Sequence, residues 1–163
     1  MNLELAFEHA LNGHAILFTG AGCSMDAINL RGGKIKSGAQ FASYISEKTS
    51  IDPNTTLAIA AEEYKLKFGE ESLRDEIQKE FSVKKIHESH AALANIPWRR
   101  IYTTNYDNVL ENAYSQIGKK LIPVTSDSEV SDFHKKSTLC VHLNGYVDQL
   151  KEKSSDSVLK LTE

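Results

Sequence analysis

Three short polar stretches hold the side chains of this sequence that could do chemistry. They are residues 20–24, residues 103–107 and residues 142–145. Each follows a run of apolar, β-branched or aromatic residues that predicts a short buried strand. Because open α/β sheets bind their ligands at the carboxyl ends of strands, the three stretches are expected to meet in one crevice.

The first stretch, Gly-Ala-Gly-Cys-Ser, is typical of a turn that binds phosphate. Gly20 and Gly22 allow left-handed backbone dihedrals and let a ligand approach the main chain closely. The amides of such a turn, above a helix start, can point at the pyrophosphate of a nucleotide. The same pattern also makes ordinary tight turns, and the third glycine of the dinucleotide fingerprint is missing. Both interpretations stay open for this stretch taken alone.

The spacing of apolar residues predicts the elements that would position these stretches. Helices are predicted at residues 3–11, after Gly38, at 57–68 with an N-cap at Asn54 or Thr55, at 73–81, before Pro97, and at 109–117. Strands are predicted at residues 15–19, from Arg99, at 120–124 with Pro123 marking a sheet edge, at 138–143, and at 158–161. Strands that alternate with helices indicate an α/β fold with a Rossmann-like parallel sheet.

Two long segments between the predicted strands are best explained by structural roles. Residues 53–96 are predicted as a helical insertion beside the sheet, whereas residues 25–38 resemble a mobile, basic loop. Arg31 or a lysine of that loop could lie near a phosphate, although an ordinary solvated loop is the simpler interpretation. His87 and His90 are spaced to share a metal ion on a helix. No third ligand is evident nearby, so a structural role is favoured for both.

Composition excludes several classes of protein. The 163 residues support one domain with a real core, and the net charge of −3 provides no basic field for nucleic acid or an anionic membrane. The two cysteines, Cys23 and Cys140, exclude a four-cysteine zinc site, so no metal is expected. The amino terminus does not have the pattern of a signal peptide, and the longest apolar run is too short to span a bilayer. A cytoplasmic location is therefore expected.

Together, the three stretches resemble the signature of sirtuins. The resemblance is carried by Gly-Ala-Gly-Cys-Ser at residues 20–24, by Thr-Thr-Asn-Tyr-Asp at residues 103–107, and by His142 shortly before Gly145. The form Ile-Tyr-Thr-Thr-Asn-Tyr-Asp is more closely similar to the sirtuin-like NAD-hydrolase domains of bacterial antiphage defence proteins. The resemblance extends over residues 15–148, with the motifs in the expected order.

This resemblance implies a Rossmann fold of the sirtuin type that binds NAD as its substrate and breaks the bond between nicotinamide and ribose. Asn105 and His142 would be the catalytic residues. Asn105 would orient a water or hydroxyl, and His142 would act as a general base facing the ribose. The residues expected to bind NAD are Gly20, Ala21, Gly22, Ser24, Thr103, Thr104 and Asp107.

Departures from the sirtuin pattern favour NAD hydrolysis over protein deacylation. Thr104 stands where deacylating sirtuins generally have glutamine, and this chain lacks the cysteines of their zinc ribbon. In that family the histidine is usually followed at once by glycine, but Leu143 and Asn144 intervene here, which affects the placement of His142. Two alternatives stay open: an NAD-dependent protein deacylase, and a non-catalytic module that binds NAD or ADP-ribose.

The resemblance also carries expectations about biology. It implies an effector that acts in antiphage defence by depleting NAD, that forms homo-oligomers, and that works with a partner protein of the defence system. Residues 53–81 could supply an interface between copies. The family pattern further implies that residues 1–163 are the amino-terminal part of a longer domain or protein.

Overall fold

The computed structural model describes residues 2–126, 128 and 137–151. The helices are α1 (Leu3–Leu11), α2 (Gly38–Thr49), α3 (Leu57–Phe68), α4 (Glu70–Phe81), α5 (Glu88–Asn95) and α6 (Val109–Gln116). The strands are β1 (Ile16–Thr19), β2 (Ile28–Asn29), β3 (Val83–Lys85), β4 (Arg100–Thr103), β5 (Leu121–Val124) and β6 (Thr138–His142). The strand predicted at residues 158–161 lies outside the described residues.

The central sheet is parallel and has the strand order β1-β4-β6-β5. Its register aligns Leu17 with Ile101, Ile101 with Cys140, and Cys140 with Pro123. The protein therefore has the predicted α/β fold with a Rossmann-like parallel sheet. Strand β5 lies at one edge of this sheet, as the proline within it predicts.

Two hydrophobic cores position the site. Helices α5 and α6 pack on one face of the sheet around the fully buried Ile101 and Cys140. Helices α2, α3 and α4 form the second core with each other and with a 3-10 turn at Val147–Lys151. Burying these apolar side chains stabilises the fold and brings the helical segment against the carboxyl edge of the sheet.

Local side chains explain where helices α2 and α3 begin. Ser37 and Gln40 form a capping box at the start of α2. Thr56 caps α3 by accepting from Ile59 N, so the predicted N-cap at Asn54 or Thr55 is wrong. Those two residues belong instead to the preceding turn.

The prediction of a mobile loop at residues 25–38 is wrong, because this segment contains β2 and is tied to α4. Strand β2 pairs antiparallel with β3, which lies in the segment predicted to be helical. Asn29 is 1% exposed, and its Oδ1 accepts from the backbone N atoms of Arg31 at 3.0 Å and Gly33 at 3.1 Å. These strands are too short to show a period, so no pattern in the sequence predicts them. No helix among the described residues is long and apolar enough to cross a membrane.

Candidate functional site

Strands β1, β4 and β6 are neighbours, and their carboxyl ends lie side by side. Thr19 pairs with Thr103, which pairs with His142. Hydrogen bonds continue this ladder from Thr104 N to Thr19 O at 3.2 Å and from Leu143 N to Thr103 O at 2.9 Å. The predicted convergence of the three polar stretches at one edge of the sheet is therefore confirmed.

The first polar stretch forms one 3-10 turn, Ala21–Cys23, and does not begin an α-helix. Gly20 and Gly22 do not use the left-handed dihedrals that glycine allows, because neither has a positive φ and φ at Gly20 is −137°. A Cβ atom at Gly22 would meet open space, so this position leaves room above the turn. The next helix begins only at Gly38, so no helix dipole adds to the amides of this turn, contrary to the prediction.

Two hydrogen bonds fix the orientation of the Asn105 amide. Its Nδ2 donates to the Gly20 carbonyl at 3.1 Å and to Ser24 Oγ at 2.9 Å. A carbonyl oxygen can only accept, so the amide nitrogen must face Gly20. The other end of the amide, Oδ1, is then the atom placed to accept from a water or a ligand hydroxyl. The Asn105 backbone N also donates to Thr103 Oγ1 at 3.1 Å, which fixes the end of β4.

Asp107 is a buried carboxyl group, 5% exposed, at the start of α6. Its Oδ1 accepts from Val109 N at 3.1 Å, and the Ser24 hydroxyl donates to the same carboxylate. Burial raises the pKa of Asp107 to about 6, and the nearby carboxylate of Glu111 acts in the same direction. The bonds from Ser24 and Val109 and the proximity of His142 lower the pKa, but they do not outweigh burial. The site therefore contains a carboxyl group that titrates close to neutral pH.

A pocket of about 230 Å³ opens beside these residues. Pockets for drug-sized ligands measure roughly 300 to 1,000 Å³, so this one has room for about one nucleoside-sized part of a dinucleotide. The predicted site residues that line the pocket are Ala21, Ser24, Thr104, Asn105 and Asp107. Within the described part of the chain, the predicted residues that are not among its lining are Gly20, Gly22, Thr103 and His142.

His142 lies behind Asn105 and is 2% exposed. Its Nδ1 donates to the Asn105 carbonyl at 3.1 Å, and its Nε2 is bonded to Glu111 Oε1 at 3.0 Å. Burial lowers the pKa of His142, but the hydrogen bond and charge of Glu111 outweigh it, and the net shift is upward. The imidazole therefore supports the backbone of Asn105 and is paired with a carboxylate on the side away from it.

Lys36 and the amino end of α2 form one side of the pocket. Lys36 and Gly38 both line it, and Lys36 Nζ lies 2.8 Å from Glu80 Oε2. An ammonium group and a helix N-terminus both favour an anionic ligand group. The sequence analysis named Arg31 or a lysine of this segment as a possible phosphate contact, and among these Lys36 is the one that lines the pocket.

The pocket also has lining residues that sequence reasoning missed. Leu57 and Phe81 come from the helical segment, where nothing in the local sequence distinguishes them from other core positions. Tyr106 lies within the second motif and packs edge-on against Phe81 with ring centroids 5.6 Å apart. Asn144 lines the pocket after β6, and its Nδ2 donates to the Thr104 carbonyl at 3.0 Å. Its position immediately before Gly145 was the signal that could have found it.

The structural interpretation of His87 and His90 is confirmed. His87 caps α5 by accepting from Ser89 N at 3.3 Å. His90 accepts from His87 N at 3.0 Å through Nδ1 and donates to the Cys23 carbonyl at 2.7 Å through Nε2. Both rings therefore have structural partners and do not face each other across a metal site.

A second group of side chains of metal-binding type lies behind the pocket. Ligand atoms of Glu111, Cys140 and His142 lie within 4.8 Å of one another. The imidazole and the carboxylate are already hydrogen-bonded to each other, as expected for a buried polar cluster. The proximity of these residues is therefore not by itself evidence of zinc.

Fold and site together define an α/β domain whose candidate site lies at the carboxyl edge of a parallel sheet, where domains of this class bind their ligands. Residues 99–163, which include Asn105, Asp107 and His142, match the family model of the SIR2-like domain. The match supports a sirtuin-like domain, as the motifs predict. No match was found among curated proteins. SIR2-like domains use NAD, so the match indicates in general terms an NAD-dependent enzyme.

Proposed function

We propose that this chain is an NAD glycohydrolase, which cleaves NAD to nicotinamide and ADP-ribose. The observation that carries the proposal is the Asn105 amide, held by Gly20 and Ser24 at the wall of a pocket that also contains Asp107. The SIR2-like match supplies the class of substrate.

The residue types in the pocket suit the chemistry of this bond. When nicotinamide leaves, positive charge develops on the ribose, and an ionised Asp107 would stabilise that charge. Asn105 Oδ1 would accept from the attacking water and orient it toward the ribose. The apolar wall formed by Leu57 and Phe81 would limit access of bulk water to the reacting carbon.

The size and charge of the pocket are compatible with the nicotinamide ribose end of NAD. Its volume suits about half of a dinucleotide, and the side formed by Lys36 and the amino end of α2 would face the adjoining phosphates. The direct catalytic role predicted for His142 stays a prediction, because it requires contact with the ribose. In the structure His142 contacts Asn105 instead.

The test is release of nicotinamide from NAD by the purified chain, without any peptide, beside Asn105→Ala. Loss of an orienting group costs about 100-fold or more in turnover, and we expect a loss of this size. Asn95→Ala is the matched control, since Asn95 is exposed on α5 and its side chain bonds only within its own helix among the described contacts. Its turnover should equal that of the original chain.

Three other outcomes would contradict the proposal. Turnover that requires an acylated peptide would indicate the deacylase. Binding of NAD or ADP-ribose without turnover would indicate the non-catalytic module. Full activity of Asn105→Ala would remove Asn105 from the mechanism.

We also propose, from the resemblance alone, an effector role in antiphage defence as a homo-oligomer with a partner protein. Cellular NAD should then fall during phage infection of cells that express the whole system, and it should not fall with Asn105→Ala. Light scattering of the purified protein would test oligomer formation, and a monomer at all concentrations would overturn that part.

A further inference from the structure

We infer that Asp107 is the general base of this pocket, that the Ser24 hydroxyl relays the proton to it, and that His142 is a positioning residue. This inference rests on the proposed NAD hydrolysis and concerns the same pocket. It makes Asp107 the acceptor of the proton from the attacking water, whereas the motif resemblance implies only that Asp107 binds NAD.

The direction of the hydrogen bonds carries the first step. Asn105 Nδ2 must donate to Ser24 Oγ, because the opposite end of that amide cannot face the Gly20 carbonyl. The serine oxygen therefore acts as an acceptor toward Asn105, and its own hydrogen is directed at the Asp107 carboxylate. Ser24 and Asp107 both line the pocket. A path for a proton thus runs from the pocket through a hydroxyl to a carboxylate.

The bonding of His142 excludes it from this role in the observed arrangement. Its Nδ1 donates to the Asn105 carbonyl and so already carries a hydrogen. The lone pair of the neutral ring would lie on Nε2, which faces Glu111 at 3.0 Å and not the pocket. The protonated ring would have no lone pair. In either state the imidazole has no acceptor atom facing the pocket.

The residue that follows β6 into the pocket is Asn144, which stands immediately before Gly145 where a histidine is usual in sirtuins. A carboxamide does not accept a proton near neutral pH, so Asn144 cannot replace that histidine as a base. Among the other titratable residues that line the pocket, Tyr106 is a poor base because burial raises its pKa and keeps its hydroxyl protonated, and Lys36 is engaged in an ion pair with Glu80. Asp107 is the group left that can accept one.

The surroundings of Asp107 keep its proton affinity in a useful range. The titratable groups that face it are Cys23 from the first turn, Glu111 from α6, and His142 and Cys140 from β6. Burial, assisted by Glu111, raises the pKa of Asp107 to about 6. A general base is most effective when its pKa lies close to the working pH, so Asp107 is both ionised and basic enough near neutrality.

The reaction balances with these groups. The bond between the ribose C1′ and the nicotinamide nitrogen breaks, and nicotinamide leaves with the electron pair. A bond forms between the water oxygen and C1′. One proton of that water passes to the Ser24 oxygen while the hydroxyl proton of Ser24 passes to Asp107. The carboxyl group then releases this proton to solvent, which gives nicotinamide, ADP-ribose and one proton from NAD and water.

The test compares the pH dependence of kcat/KM for NAD in the original chain, Asp107→Asn, Ser24→Ala and His142→Gln, from about pH 5 to about pH 8.5. For the original chain we expect activity to rise with pH to a plateau, with a midpoint near the Asp107 pKa of about 6. The plateau value of kcat/KM should be about 100-fold to 10,000-fold lower in Asp107→Asn, and kcat/KM of this variant should no longer rise with pH. Ser24→Ala should have a lower plateau value of kcat/KM, and its kcat/KM should still rise with pH.

His142→Gln provides the discriminating readout. The charged ring lowers the pKa of Asp107, so its removal should move the midpoint to higher pH while the rise persists. A purely structural role would lower the rate without moving the midpoint. Retained NAD binding by Asp107→Asn, measured by calorimetry, would show that the loss lies in turnover.

Each contrary outcome has one meaning. If the original chain hydrolyses NAD and Asp107→Asn keeps the rise with pH, the inference is wrong and the proposed function stands. If His142→Gln abolishes the rise, His142 is the base. If the original chain releases no nicotinamide at any pH, the proposed function and this inference both fail.

Discussion

The carboxylates of two buried polar clusters in this protein have opposite kinds of partner. The first, called the charge cluster here, joins Glu76 and Glu80 of α4 to Arg31, Lys36 and Lys48. The second, called the pocket cluster, contains Ser24, Asn105, Asp107, Glu111 and His142. Glu76, Glu80 and Asp107 are all buried, so the difference between the clusters lies in the partners of each carboxylate.

Every carboxylate of the charge cluster contacts a cation. Glu80 is fully buried and lies 2.8 Å from Lys36 Nζ, and Glu76 is bonded to Arg31 and lies 3.0 Å from Lys48 Nζ. Burial raises the pKa of Glu76, but the bonds from Lys48 and Tyr44 and the charge of Arg31 outweigh it, and its pKa is lowered. The charge cluster therefore holds residues 31–36 and helix α2 against α4.

Asp107 in the pocket cluster is bonded to neutral donors only, among its described contacts. A desolvated carboxylate with neutral partners destabilises the folded state, whereas a paired one need not. Proteins retain such costly groups mainly where function requires them. The comparison therefore favours a structural role for the charge cluster and supports the chemical role proposed above for Asp107.

The largest effect is expected from Glu80→Ala. The substitution leaves Lys36 and the side chain of Asn29 without their buried acceptor, and breaking a buried pair costs about 3 to 5 kcal/mol. Urea unfolding at neutral pH would measure the change. Glu63→Ala is the matched control, because Glu63 is exposed on α3 and its removal should change the free energy of unfolding by less than about 0.5 kcal/mol. Equal effects of the two variants would mean that the charge cluster does not anchor the segment.

The second prediction has the opposite sign: Asp107→Asn should stabilise the protein at neutral pH. The pKa of Asp107 is about 6 in the folded protein, and that of an unfolded aspartate is about 3.9, so the folded state binds the proton more tightly. At a pH below both pKa values, the carboxyl group is protonated in the folded and the unfolded state and does not affect the free energy of unfolding. At a pH between the two pKa values, the carboxyl group ionises only in the unfolded chain, so the free energy of unfolding falls as the pH rises. Above a pH of about 6 the loss of stability is constant at roughly 2 to 3 kcal/mol.

Urea unfolding at acid and neutral pH would measure this difference between the original chain and Asp107→Asn. Other titrating groups cancel in the difference, and the shape of the side chain is preserved. The gain should be present at about pH 7.5 and nearly absent at about pH 4. A variant that is less stable at neutral pH would show that the carboxylate is better paired than the structure indicates, and it would weaken the contrast between the clusters.

The sequence allowed the pocket cluster to be predicted far better than the charge cluster. The ends of β1, β4 and β6 follow apolar runs, and parallel strands bring their carboxyl ends to one edge, so Asn105 and Asp107 could be placed together. The roles of the individual residues could not be predicted from the sequence, because they depend on the hydrogen-bond partners that each side chain has in the folded protein. His142 and Asn144 are two residues apart in a chain that turns after β6, and only the structure shows that Asn144 is the one in the pocket.

The charge cluster was missed because charge alone does not predict burial. Along α4, Asp75 and Lys79 are exposed while their neighbours Glu76 and Glu80 are buried, although all four side chains are charged. A charged residue on a helix ordinarily indicates a solvent-exposed position, since glutamates are rarely buried without partners. The partners lie more than 25 residues away in sequence, on Arg31, Lys36 and Lys48, and only the tertiary fold brings them together.

The smallest effect is expected for the exposed pair on that same helix. Asp75 Oδ2 lies 3.7 Å from Lys79 Nζ, with side chains 69% and 52% exposed. A double-mutant cycle with Asp75→Ala and Lys79→Ala should give a coupling energy of at most about 0.5 kcal/mol, which decreases in high salt. A parallel cycle with Glu80→Ala and Lys36→Ala, on the buried pair, should give a coupling several times larger that salt changes little. Because both carboxylates lie on α4, the two cycles differ mainly in burial. Equal couplings would therefore show that burial does not distinguish the structural charges of this helix from its solvated ones.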